Sequence, residues 1–197
     1  MPKCLICSSE ISKFMDFGDM PIANGFLNKE DFGREYYFRM ETAFCNECKT
    51  FQLINQPEPE KMFHENYAFF SGTSNNMKIH FENFYKDISK KYLKNIEKPF
   101  VVEIGSNDGI LLNYFKNNNI NHIGFEPSKN VHEVAKNNGI NSVNIFFDSD
   151  SAEEIRNKHG RADIFVAANV MCHIPEIISV VKGIDKILKD EGIVIFE

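Results

Sequence analysis

Phe100-Val101-Val102-Glu103-Ile104-Gly105-Ser106-Asn107-Asp108-Gly109 carries the signature of a strand, a tight turn and a helix start. Phe100, Val101, Val102 and Ile104 make a short apolar run, rich in β-branched residues and preceded by Pro99. Such a run predicts a buried parallel strand. Gly105 permits a sharp turn, and Gly109 opens an amphipathic helix carrying Ile110, Leu111, Leu112 and Phe115. A strand, a small-residue turn and a helix N-terminus bring backbone N–H groups and the helix dipole to one place, which suits a nucleotide.

Outward from this stretch, short apolar runs alternate with helical patterns. Strands are predicted at 100–104, 121–125, 142–147, 163–168 and 192–196, with helices at about 109–117, 128–138, 151–158 and 175–189. That alternation implies an α/β fold with a parallel sheet and crossover helices, a doubly wound nucleotide-binding domain. Upstream, Ile79, Phe81, Phe84, Tyr85, Ile88 and Tyr92 recur at helical spacing, so a helix is expected from about 75 to 95. His80 on that helix reads as a surface or half-buried side chain, and the lone Cys172 as a packing residue.

The turn separates cofactor classes. A dinucleotide fingerprint requires three glycines, whose places here hold Gly105, Asn107 and Ile110. NAD and FAD are therefore disfavoured. S-adenosyl-L-methionine lacks a pyrophosphate and demands less: a close backbone approach, and an acidic residue for its ribose hydroxyls. Asn107 tolerates a positive φ better than most residues. Glu126 follows the second strand of the sheet, at the right place for a ribose-binding carboxylate; the plainer reading is a solvated Glu before Pro127.

The chain has 197 residues, 22 basic and 28 acidic, for a net charge of −6. Without a basic run, nucleic-acid binding is disfavoured. No apolar run approaches a membrane span and the start lacks a signal-peptide core, so a cytoplasmic location is expected. Four of five cysteines form two Cys-x-x-Cys pairs, Cys4 with Cys7 and Cys45 with Cys48, separated by 37 residues. In a reducing compartment this spacing predicts a tetrahedral S4 site for Zn2+, structural because no coordination position stays open. Residues 14–27, broken by Gly18, Pro21 and Gly25, read as loop with short extended pieces. Phe38–Phe44 and Phe51–Ile54 read as a hairpin with the second Cys pair in its turn.

The order of these features resembles a known family. A Cys-x-x-Cys knuckle, the run Phe17-Gly18-Asp19-Met20-Pro21-Ile22-Ala23-Asn24-Gly25-Phe26-Leu27, and a second Cys-x-x-Cys before Phe51-Gln52-Leu53 look like the zinc-binding domain of the deoxysugar C-methyltransferases. Tyr67-Ala68-Phe69-Phe70-Ser71-Gly72-Thr73-Ser74 resembles that family's linker, with Phe69 where a second aromatic hydroxyl is common. Glu103 to Gly109 resembles the first motif of class I methyltransferases, Asn107 standing at a usual glycine.

The resemblance implies a zinc domain at 1–70, a linker helix at 71–98 and an incomplete Rossmann-like methyltransferase domain at 99–197. It implies S-adenosyl-L-methionine held by Glu103, Gly105, Asn107, Gly109, Glu126 and Asn169, structural Zn2+ on Cys4, Cys7, Cys45 and Cys48, and Tyr67 and His173 lining the reacting centre. The expected acceptor is a nucleotide-linked keto-deoxysugar, methylated on carbon. The family's Tyr-His-Glu-His segment and acceptor domain are not in these residues, so the sequence reads as an N-terminal part with little activity alone. The competing readings are a non-catalytic zinc and Rossmann assembly module, or methylation of a sugar oxygen or nitrogen.

Overall fold

The structure, a computed structural model, describes all 197 residues. It divides into one unit of Met1–His64 with Pro175–Ile178, and another of Glu65–Ile174 with Ser179–Glu197.

In the first unit, β1 (Ser12–Pro21), β2 (Tyr37–Phe44) and β3 (Phe51–Leu53) form an antiparallel sheet in that order. Thr42, Ala43 and Phe44 pair with Leu53, Gln52 and Phe51, so the expected hairpin forms around the second Cys pair. The expected loop at 14–27 is a correction: residues 14–21 all belong to β1. Register shifts between Lys13 and Met15 and between Asp16 and Asp19 absorb the irregular sequence, and pairing resumes from Asp19 with Arg39 to Pro21 with Tyr37. Edge-strand bulges hide strands from a period-two search. Cys4, Ile11, Ala43 and Cys45 form the small core. The short helix α1 (Pro59–Met62) follows.

The second unit opens with α2 (Asn75–Ile88), N-capped by the Ser74 hydroxyl on the Met77 N–H and extended by a π turn over Ser89–Leu93. Its sheet comprises β4 (Phe100–Ile104), β5 (Asn121–Phe125), β6 (Ser142–Val143), β7 (Ala162–Ala167) and β8 (Leu188–Phe196). The order is β6-β5-β4-β7-β8, and every pairing is parallel. Helices α3 (Ile110–Asn117), α4 (Lys129–Asn137), α5 (Ser149–His159) and α6 (Ile177–Ile187) are the crossovers. The alternating pattern was read correctly, with one shortening. Only Ser142 and Val143 of the run 142–147 pair as strand, because Asn144 turns to donate to the Glu126 and Pro127 carbonyls and Asp148 begins a capping box on α5.

All of β4 is buried, as expected for a central parallel strand covered on both faces. Phe100, Val102 and Ile104 pack with Phe147, Phe165 and Ile184 on one side. Val101 packs with Leu111, Phe115, Phe81 and Ile88 on the other. The strand order reverses at β4, so the crevice beyond the C-terminal ends of β4 and β7 is the topological switch point. No helix is long and apolar enough to cross a membrane.

Candidate functional site

Two places carry chemistry. The first is the cysteine cluster. Cys4 to Cys7 and Cys45 to Cys48 form matching knuckles: in each, the N–H of the residue after the second Cys returns to the carbonyl of the first, Ser8 to Cys4 and Lys49 to Cys45. Ser8 and Lys49 both sit at positive φ, 61° and 64°. The Sγ atoms of all four lie within 4.8 Å of one another, with Cys4–Cys48 and Cys7–Cys45 at 3.5 Å. A tetrahedron with Zn–S bonds of about 2.3 Å has edges of roughly 3.8 Å, so the donors fit Zn2+.

Hydrogen bonds hold these thiols ready. Burial opposes ionisation of Cys4, but the Cys7 and Ile6 N–H groups and Gln52 Nε2, at 3.1 Å, outweigh it and bring the thiol down to about 6. At Cys45 the Cys48 N–H favours the thiolate, whereas burial and the neighbouring Cys7 and Cys48 sulfurs push it up to about 11. Packing several thiolates together is costly without a cation, and a divalent metal removes that cost.

The second place is the turn after β4. Gly105 has φ 60°, and a Cβ there would lie 2.3 Å from Val170 Cγ2. Asn107 follows at φ 51° and Gly109 at φ 80°. The Asn107 N–H donates to Glu126 Oε2 at 2.9 Å, and the Ser128 N–H to Glu126 Oε1 at 2.8 Å. Glu126 thus stands at the C-terminal end of β5 beside the turn, where the sequence put it, but both its oxygens brace the backbone. A carboxylate offers about four lone-pair sites, so acceptor capacity is left for hydroxyl donors.

Electrostatically this is an acidic site: Glu103, Asp108 and Glu126 gather at one turn, and the charge of Lys78 acts on Asp108. Burial, then the charges of Glu126 and Asp108, pushes the Glu103 carboxyl well above the usual range. Burial likewise raises Glu126, opposed by the N–H bonds from Ser128 and Asn107, and raises Asp108. Glu103 Oε2, Ser106 Oγ, Asp108 Oδ1 and Asn130 Oδ1 are buried with no hydrogen-bond partner among protein groups. Buried polar atoms are normally satisfied, and such a concentration at one turn fits a polar, cationic ligand.

Sequence reasoning did not find a set of bonds tying the Tyr67–Gly72 segment to this turn. Asn107 Oδ1 accepts from the Ser71 N–H at 2.8 Å, while its Nδ2 donates to the Phe69 carbonyl at 3.1 Å. Asp108 Oδ2 accepts from the Gly72 N–H at 2.8 Å, and Asn130 Nδ2 donates to the Tyr67 carbonyl at 2.8 Å. A Cβ at Gly72 would lie 2.7 Å from Asp108 Oδ2. The half-buried Tyr67 phenol is raised by burial and then by the Glu126 charge.

Asn169 and His173 follow β7 at the same end of the sheet. Asn169 has φ 55°, and its N–H donates to the Glu197 carbonyl at 3.0 Å. His173 closes a 3-10 turn over Met171–His173, its N–H on the Val170 carbonyl, with the imidazole exposed. Cys172 is exposed rather than packed, because the same turn faces it outward. His80 on α2 is partly exposed and pairs with Glu197 at 3.1 Å.

Comparison with known proteins adds an independent finding. A zinc binding domain family matches residues 4–63, and a methyltransferase domain family matches residues 77–197. C-methyltransferase NovU from Streptomyces niveus is 26% identical over 197 residues, covering 99% of this chain and 46% of that protein. The chain thus spans just under half the length of that relative. Among solved structures, the plantazolicin methyltransferase BpumL in complex with SAH is similar with a TM-score of 0.49 and 18% identity, covering 64% of this chain and 50% of that one. The plantazolicin methyltransferase BamL gives 0.47 and 26% identity, over 62% and 45%.

Proposed function

Because this chain belongs to the class I S-adenosyl-L-methionine-dependent methyltransferase domain family, with a zinc-binding domain in front, we propose that it supplies the methyl-donor half of a C-methyltransferase acting on a nucleotide-linked keto-deoxysugar. The observation that carries the donor assignment is the cluster of buried Glu103 and Glu126 with half-buried Asp108 at the Gly105 turn, whose carboxyls are all raised. Its unpartnered oxygens suit a ligand that brings positive charge and hydroxyl donors together. S-adenosyl-L-methionine, when bound, supplies an electrophilic methyl on a sulfonium.

The chain's own groups would divide the remaining work. Gly105 and Asn107 let backbone approach the ligand, and Glu126 accepts from the ribose hydroxyls. Glu103 would meet the ammonium of the amino acid portion and Asn169 would orient that portion, while Gly109 starts the helix whose dipole faces the site. On the acceptor side, a phenol kept protonated suits Tyr67 to donate a hydrogen bond to a ketone oxygen as enolate charge develops. The exposed His173, in the turn that follows β7, would orient the acceptor. Carbon rather than oxygen or nitrogen methylation rests on the likeness to NovU and on the ordered Cys, linker and turn motifs.

Calorimetry with S-adenosylhomocysteine tests the donor half: saturable binding lost in Glu126→Ala is expected, and absence of binding to the wild-type chain would sink it. Incubation of residues 1–197 with S-adenosyl-L-methionine and a nucleotide-linked 4-keto sugar is expected to give little or no product. Sustained turnover would overturn the reading that these residues supply the donor half only.

A further inference from the structure

The segment from Tyr67 to Gly72 is neither helix nor paired strand until its last two residues enter a 3-10 turn. Four hydrogen bonds nonetheless tie its backbone to side chains around the nucleotide site, two residues of the turn after β4 and one in the first turn of α4: Asn130 to the Tyr67 carbonyl, Asn107 to the Phe69 carbonyl and the Ser71 N–H, and Asp108 to the Gly72 N–H. Asn107 is the centre of this set. Both ends of its amide hold the segment, while its own N–H is held by Glu126. A glycine at this position would keep the positive φ and lose both side-chain bonds.

We propose that Asn107 is a positioning residue that locks the Tyr67–Gly72 segment as a strap across the donor turn, so that strap closure and cofactor binding are coupled. The inference rests on the reading that this turn holds S-adenosyl-L-methionine. The path is short and physical: a ligand on Glu126 orders the oxygens that hold the Asn107 backbone, the ordered Asn107 side chain holds Ser71 and Phe69, and the strap carries Tyr67 with it. Coupling of this kind is reciprocal, so loosening the strap weakens the ligand by the factor by which the ligand tightens the strap. Gly72 belongs to the same device, since any side chain there displaces the Asp108 carboxylate.

The test uses the full chain, wild type, Asn107→Gly and Asn107→Asp, with S-adenosylhomocysteine as probe. Amide hydrogen exchange at Ser71 and Gly72 reports the strap directly, because those two N–H groups bond only to side chains of the turn. In the wild type the ligand is expected to slow both amides about tenfold. In Asn107→Gly, exchange without ligand is expected to rise about tenfold at Ser71, the ligand no longer slows it, and ligand affinity falls by a comparable factor. Asn107→Asp keeps an acceptor for Ser71 but sets a carboxylate against the Phe69 carbonyl, and is expected to fall between the two. Protection in Asn107→Gly equal to wild type, or a loosened strap with unchanged affinity, would overturn the proposal. Exchange of the β4 amides checks folding, and Asn107→Asp decides the matter should Asn107→Gly lose the core. If the wild type binds no ligand, the donor reading fails, and the ligand-free exchange of Asn107→Gly still tells whether Asn107 locks the strap.

Discussion

The acidic pocket predicts a proton linkage that can be worked through with its sign. Glu103, buried and facing Glu126 and Asp108, has its carboxyl pushed well above the usual range of about 4.3. Below the raised value it is protonated and neutral; above it, an unpaired charge is buried. Because the folded chain binds this proton more tightly than the unfolded chain, the stability of the ligand-free protein falls as pH rises from the ordinary carboxylate pKa through the raised one. A ligand bearing an ammonium and a sulfonium reverses the preference, since it binds best to the ionised carboxylate. Its affinity therefore rises with pH over the same window, by up to about tenfold per pH unit for each carboxyl that must ionise, and proton release accompanies binding. Titrations of S-adenosyl-L-methionine from about pH 8 down to about pH 5, in buffers of differing ionisation enthalpy, count those protons. Glu103→Gln should raise ligand-free stability by up to about 1.4 kcal/mol for each pH unit between the ordinary and the raised carboxyl pKa, weaken the ligand and flatten the pH slope. Affinity independent of pH with no proton released, in a variant and wild type alike, would refute the reasoning.

Other expectations concern the two units separately. Chelation, or Cys45→Ser, should release one zinc per chain, measurable by metal analysis, and bring β1–β3 amide exchange towards unfolded rates, because structural zinc supplies folding free energy on the order of 10 kcal/mol in small domains. Gly105→Ala, which puts a Cβ 2.3 Å from Val170 Cγ2 at a positive φ, should lower stability by about 1–3 kcal/mol in urea unfolding and abolish S-adenosylhomocysteine binding. Phe165→Ala removes a fully buried ring between Phe147 and the sheet and should cost about 3–5 kcal/mol by the same measurement.

What could be read from the sequence followed physical periodicity. The run Phe100–Ile104 announces a strand buried on both faces because both faces are covered, and the later strands repeat that signature. The Cys-x-x-Cys pairs announce a metal because knuckle geometry is local. Strand β1 escaped because its bulges break the alternation and Gly18 and Pro21 read as punctuation. Ser142–Val143 is shorter than its apolar run because the side chains of Asn144 and Asp148 capture backbone groups. The strap was invisible for a different reason. Asn107 and Asp108 each reach 36 positions back, and Asn130 reaches 63. Bonds from side chain to distant backbone leave no period, so Asn107 read only as a tolerable stand-in for glycine.

A methyl-donor site at the turn from Gly105 to Gly109 takes S-adenosylhomocysteine, and a dinucleotide site there takes NAD. Paired titrations of S-adenosylhomocysteine and NAD into the wild-type chain, repeated on Glu126→Ala, separate the two most directly. One saturable site for S-adenosylhomocysteine, lost in the variant, with no heat from NAD, is the predicted result. NAD binding at the same site, or no S-adenosylhomocysteine binding to the wild type, would contradict it.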